Sequence, residues 1–188
     1  MAKYGFAINM RRCVGCRTCT IACKMENQVP AGEARIKVYN EEGTTVYDRP
    51  SGEGATLKYV WTPVPCQHCD NAPCVAACPT GASFSRKDGI VMINKELCIG
   101  CDNCIPACPY DARYHNPLDG KVDKCDMCAH RKQEGLKTMC ELCCPARAIT
   151  TGDMEDPNSD ISKILSTYET WVEKEEEGTK PNVFYYNA

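Results

Sequence analysis

The chain has 188 residues, 17 of them cysteine, and a formal net charge of −3. Leu, Ile, Val and Phe together number 30, about a sixth of the chain where under roughly a fifth marks a core-poor sequence, so aliphatic packing alone is excluded as the source of its stability. The acidic balance argues against a nucleic-acid surface, and the longest apolar runs, such as Ile90 to Ile93, fall far short of the roughly 20 residues that cross a bilayer.

In chain order, the first signal is the apolar run Tyr4 to Ile8, predicted as a strand. A cysteine quartet follows, Cys13-x2-Cys16-x2-Cys19-x3-Cys23, with Thr20-Ile21-Ala22-Cys23 expected at the opening of a short helix. A strand is predicted at Ile36 to Tyr39, a surface loop from Asn40 to Gly54 on its Gly, Glu, Thr and Ser content, and another strand at Leu57 to Trp61. The second quartet is Cys66-x2-Cys69-x4-Cys74-x3-Cys78, followed by Pro79, with Val75-Ala76-Ala77-Cys78 as its helical stretch. After the Lys87-Asp88-Gly89 turn and a strand at Ile90 to Ile93 comes the third, Cys98-x2-Cys101-x2-Cys104-x3-Cys108 with Pro109. The fourth is stretched: Cys125-x2-Cys128-x11-Cys140-x3-Cys144 with Pro145. Ile161, Ile164, Leu165, Tyr168, Trp171 and Val172 then fall at helical spacing, with Asn158 or Ser159 as N-cap, Gly178 as stop and Glu175 to Glu177 fraying the last turn. An extended tail, Thr179 to Ala188, carries Phe184, Tyr185 and Tyr186, three aromatics that suggest docking.

Every quartet closes on the same x3 step, which singles out Cys143 as the spare cysteine, since Cys140 to Cys144 reproduces that step and precedes a proline. In a C-x2-C-x2-C-x3-C-P run three thiolates from one loop bind one 4Fe-4S cubane and the fourth binds its neighbour, so quartets work in reciprocal pairs. Glycines such as Gly15 and Gly100 suit a backbone that passes close to the sulfides. Four quartets pair in three ways, and the gaps of 19 residues between the second and third and 16 between the third and fourth do not choose. Four clusters with their thiolates would bring the charge to about −11.

An odd cysteine count and no secretory signal before Cys13 argue against a disulfide framework. Zinc ribbons use two C-x2-C knuckles, which four proline-trailed quartets do not match. With sixteen matched cysteines no ligand is missing, so His68, His115 and His130 read as structural or surface residues. Arg17, Lys24, Arg86, Lys87, Arg113 and Lys124 lie near the quartets, where they either raise cluster potentials or are plain solvated charges. No paired carboxylates, nucleophile elbow or phosphate loop stands out, so no catalytic residue is assigned.

The quartets, with Cys66-Gln-His-Cys-Asp-Asn-Ala-Pro-Cys74, Cys78-Pro-Thr-Gly-Ala82, Ala107-Cys-Pro-Tyr-Asp-Ala-Arg-Tyr114 and Lys124-Cys-Asp-Met-Cys-Ala-His130, resemble the four-cluster electron-transfer subunits of the dimethyl sulfoxide reductase-type molybdopterin oxidoreductases. Size and the ending from Gly178 to Ala188 look most like the polysulfide and thiosulfate reductase subunits. Lys24 departs from the pattern by standing where a proline follows the other quartets. The resemblance implies four 4Fe-4S clusters, with Cys13, Cys16, Cys19 and Cys144 on one and Cys23, Cys125, Cys128 and Cys140 on its partner. The inner pair uses Cys66, Cys69, Cys74 and Cys108, and Cys78, Cys98, Cys101 and Cys104.

The implied fold is α+β, duplicated bacterial ferredoxin-like units, one inserted in the other. Residues 1–34 and 119–152 form the outer unit, 56–118 the inner, 35–55 an insertion loop, and 153–188 a C-terminal helix and docking tail. The implied partners are a large molybdopterin catalytic subunit of an anaerobic oxidoreductase and a quinone-linked membrane subunit or soluble donor. The implied location is the extracytoplasmic face if a twin-arginine-exported partner carries the chain, otherwise the cytoplasm. The competing reading is a free polyferredoxin, with a zinc-binding structural protein third. Protein purified anaerobically should carry iron and acid-labile sulfide in about equal amounts; zinc without sulfide would establish the third reading instead.

Overall fold

A computed structural model of the chain describes residues 1–45, 54–56 and 58–188. In chain order its elements are β1 (Tyr4–Asn9), α1 (Thr18–Asn27), β2 (Ile36–Asn40), β3 (Trp61–Pro65), α2 (Pro73–Ala76), β4 (Ser83–Ser85), β5 (Val91–Ile93), β6 (Arg113–Asn116) and β7 (Lys121–Lys124). They continue with α3 (Ala129–Gln133), α4 (Met139–Leu142), β8 (Ile149–Asp153), α5 (Asp160–Thr167), β9 (Thr170–Trp171) and β10 (Val183–Tyr186). The main sheet has the order β8-β1-β10-β9, and the remaining strands form three hairpins, β2-β3, β4-β5 and β6-β7.

β1 is the axis of the molecule. β8 runs antiparallel on one side of it, Phe6 opposite Thr151, and β10 parallel on the other, Phe6 opposite Val183. Phe6 and Ile8 point into a cluster that holds Cys19, Cys23, Cys125 and Cys140, while Ala7 faces away toward Ile161 of α5 and Tyr186. Both faces are therefore covered, which is why β1 is an unbroken apolar run rather than an alternating one. Each such buried side chain contributes roughly 1.5–3 kcal/mol. Among the described residues no helix is long and apolar enough to cross a membrane.

Three predicted elements differ. The strand expected at Leu57 to Trp61 lies at Trp61–Pro65 instead, where Pro63 and Pro65 are tolerated because β3 has a neighbour on one side only; position 57 falls outside the described residues, as do 46–53 of the expected surface loop. The C-terminal helix starts as expected, Ser159 Oγ accepting the Ser162 N–H at 3.1 Å, but ends at Thr167. Tyr168 turns extended and its ring stacks on Tyr186 at 5.2 Å, while Trp171, in β9, stacks on Tyr185 at 6.2 Å. Glu175–Glu177 form a separate 3-10 turn rather than a frayed helix end.

The tail is the third correction. Tyr185 and Tyr186 are buried in the chain's own sheet and Phe184 is half-buried, with the Tyr185 hydroxyl donating to the Pro63 carbonyl at 3.0 Å. The aromatics dock on β1 and β9, not outward. The helices at the quartets are also uneven: α1 spans ten residues and contains both Cys19 and Cys23, α2 and α4 hold only Cys74 and Cys140, and the third quartet has turns alone. Tyr185→Phe should cost about 1 kcal/mol for the lost buried hydrogen bond. Deleting residues 183–188, which uncovers Phe6 and Ile8, should cost several times more in anaerobic denaturant unfolding; an unchanged midpoint would return the tail to a docking role.

Candidate metal centres

The residue before the second cysteine of each quartet has a left-handed backbone: Gly15 at φ 68°, His68 at 44°, Gly100 at 68° and Met127 at 57°. That turn folds each loop back on itself between its first and second cysteines. At Gly15 a Cβ would lie 2.5 Å from the Trp61 ring, and at Gly100 it would lie 2.3 Å from the Gly120 carbonyl oxygen, so neither position has room for a side chain. His68 and Met127 adopt the same strained turn with side chains that are completely buried. Strain of this kind persists only where surrounding packing fixes it.

His68 is fixed by the Val91 N–H, which donates to Nδ1 at 3.1 Å, and by Phe6, whose ring stacks on it at 6.4 Å. A backbone N–H can only donate, so the imidazole proton sits on Nε2. Burial, followed by the charges of Lys124, Arg113 and Lys132, pushes its pKa well below the ordinary value, which keeps the ring neutral. Among the described residues its Nε2 has no hydrogen-bond partner. His115 and His130 lie at the surface, 2.9 Å from Asp102 and Glu26 respectively.

Two cavities collect eight of the sequence-predicted ligands. One is lined by Cys13, Cys16, Cys19 and Cys144 together with Gly15, Val38 and Ile149. The other is lined by Cys23, Cys125, Cys128 and Cys140 with Phe6, Ile36 and Thr138. Each draws three cysteines from one end of the chain's quartets and one from the other. Of the remaining eight, Cys69 lies within electrostatic reach of Cys66, Cys74 and Cys108, Cys104 within reach of Cys78, and Cys98 packs against the cluster that holds Cys74, Val91, Cys104 and Val122. Cys101 stands exposed on its loop, as Cys16 does on its own. Cys143 lines neither cavity and its Sγ meets Met139 Sδ at 3.5 Å.

Burial raises most of these thiols, and Cys19, Cys23, Cys69 and Cys140 are pushed up to about 12, with neighbouring thiolates adding to the effect. Such groups keep their protons at neutral pH unless a metal displaces them. Four soft sulfurs around an apolar hollow suit an iron-sulfur cluster and not a hard cation. Buried donors without a partner among the described residues, His68 Nε2 and Arg113 Nε and Nη1, fit a sulfur-rich group as well. The chain supplies further N–H donors: Met127 to Cys125 at 3.3 Å, Ala148 to Cys144 at 3.2 Å and Ser83 to Cys78 at 3.4 Å. At Cys78 burial works upward, but the hydrogen bonds from Ser83 and Thr80 outweigh it and leave that thiol below its ordinary value.

The basic residues divide. Lys87 is exposed, Arg86 pairs with Asp88 at 2.7 Å, Lys24 Nζ donates to the Pro30 carbonyl at 2.7 Å, and half-buried Arg17 donates to the Thr45 carbonyl. Arg113 and Lys124 are buried, Lys124 donating to the Val91 and Cys125 carbonyls. Sequence reasoning missed the Trp61 wall behind Gly15 and the neutral His68. Superposing the quartets would have shown His68 and Met127 standing where two of the four have glycine.

The chain matches a 4Fe-4S dicluster domain family over residues 57–154 and a second 4Fe-4S dicluster domain family over residues 12–82. It is 41% identical, over its full length and 80% of the relative, to a putative dimethyl sulfoxide reductase iron-sulfur subunit of Halobacterium salinarum. Identity is 42% to a polysulfide reductase polypeptide of Wolinella succinogenes, over 97% of this chain and 93% of that one. It is 40% to the thiosulfate reductase electron transfer subunit PhsB of Salmonella typhi, over 92% and 86%. With two cavities each lined by four cysteines and relatives matched over 80–93% of their length, the chain belongs to the 4Fe-4S electron-transfer subunits of the dimethyl sulfoxide reductase-type molybdopterin oxidoreductases, a redox subunit and not a catalytic one.

Proposed function

We propose that sixteen cysteines hold four 4Fe-4S clusters in a single relay serving a molybdopterin catalytic subunit. The observation that carries this reading is the pair of cavities in which Cys13, Cys16 and Cys19 meet Cys144 while Cys23 meets Cys125, Cys128 and Cys140. This is the reciprocal exchange expected of paired quartets. Cys66, Cys69, Cys74 and Cys108 form the third set, and Cys78, Cys98, Cys101 and Cys104 the fourth. Each bound cluster supplies a one-electron couple.

The protein's own residues set the order. Cys19 and Cys140, and likewise Cys125 and Cys66, lie within electrostatic reach of each other, and Arg113 reaches both Cys74 and Cys104. From end to end, the sets run from exposed Cys16 to exposed Cys101, with the buried thiols between them screened from water. Those two loops are the doors, one toward the catalytic subunit and one toward a quinone-linked membrane subunit or a soluble donor. Pairing of β1 with β8 supports an outer ferredoxin-like unit, residues 1–34 and 119–152, around an inner one, residues 56–118. The β6-β7 hairpin straddles that boundary and ties the two together. An exported catalytic partner would place the complex on the extracytoplasmic face.

Wild-type protein should contain about sixteen iron atoms per chain, four per cluster. Cys16→Ser should lose or alter one cluster's signal, about a quarter of the iron at most, and Cys143→Ser none. Affinity purification from the native host should bring down a large pterin-containing protein; a chain that always purifies alone is a polyferredoxin.

A further inference from the structure

We infer that Arg113 sets electron affinity along the relay: its buried guanidinium, held between thiolates of two different clusters, raises the reduction potentials of both. The inference rests on the ligand sets proposed above. Arg113 opens β6 and is 3% exposed. Its Nη2 donates to Cys74 Sγ at 2.9 Å and to Ser83 Oγ at 2.7 Å. Cys74 belongs with Cys66, Cys69 and Cys108, and the same charge reaches Cys66 and, across the seam, Cys104. Among the described residues its buried Nε and Nη1 have no hydrogen-bond partner, so two further donors remain unused.

Arg35, the other arginine set well into the body, has a different environment. It lies 3.0 Å from Asp123 and 3.2 Å from Asp126, so carboxylates neutralise it. Arg113 forms no ion pair with a carboxylate among the described residues. A buried charge is retained only where something compensates it, and the anions in reach of Arg113 are cysteine sulfurs. Guanidinium does not deprotonate in a protein, so the charge is permanent. An electron arriving on either cluster adds negative charge beside it, and in a low-dielectric interior that attraction favours the reduced state. Hydrogen bonds to cluster sulfurs act in the same sense.

The test is a potentiometric titration followed by electron paramagnetic resonance on the full chain, for wild type, Arg113→Met, Arg113→Gln and Arg113→Lys. Iron and sulfide are counted in each. Expected are unchanged iron and two of the four couples moved to lower potential in the uncharged variants, each by at least tenfold in its one-electron equilibrium, about 59 mV. Arg113→Lys, which keeps the charge and loses the fork, should move them less. Unshifted couples in cluster-replete variants, or loss of clusters in both uncharged variants, would overturn the inference by making Arg113 structural. The four-cluster reading fails separately, on a wild-type iron count well below about sixteen.

Discussion

A loop that delivers three thiols to one point has to reverse direction within a few residues, and here the reversal falls each time on the residue before the second cysteine. Gly15, His68, Gly100 and Met127 share that left-handed conformation, and the rest of the architecture accommodates it. The helices near the quartets are mostly single turns, the accessory sheets are two-stranded hairpins, and the hydrophobic core itself contains cysteines among Phe6, Ile8 and Tyr185. With only 30 Leu, Ile, Val and Phe side chains, the sulfur ligands and what they bind serve as structure as much as function.

The four cysteine quartets were legible in the sequence because spacing is a covalent constraint that no packing choice can override; which quartets pair was not, and came only from the resemblance. The expected sets Cys13, Cys16, Cys19, Cys144 and Cys23, Cys125, Cys128, Cys140 each line one cavity, and the strands at β1, β2 and β5 lie where their apolar runs predict. What misled was tertiary. Trp171 and Val172 continue a helical period, yet ring stacking on Tyr185 draws Trp171 into a strand. The tail's aromatics looked like a docking motif because nothing local marks a strand that pairs with residues at the opposite end of the chain. β3 was misplaced because two prolines hide a strand whose other edge needs no donor.

Charge is distributed with the same economy. The surface carries ordinary ion pairs, Lys95 with Asp119 and Lys137 with Glu141, which contribute little individually. Among the described residues the interior keeps Arg113 and Lys124 without carboxylate partners, and a histidine held neutral by its burial first and by those cations second. A set of clusters brings several negative charges into a small volume, and basic groups placed at the seams offset their mutual repulsion while leaving the ligand sulfurs free to bind iron. The residue types near the quartets announced this; which of them are buried did not show until the chain was folded.

β10 also bears on the order in which the molecule is made. Its residues fill the place between β1 and β9, so β1 lacks its parallel neighbour until Val183–Tyr186 have left the ribosome. Cys13 and Cys144 are likewise far apart in synthesis and adjacent in space. The cysteine set of the cavity they line is therefore completed only once Cys144 has emerged, long after the first quartet, and until then the biosynthetic machinery that delivers iron and sulfide meets an open first quartet.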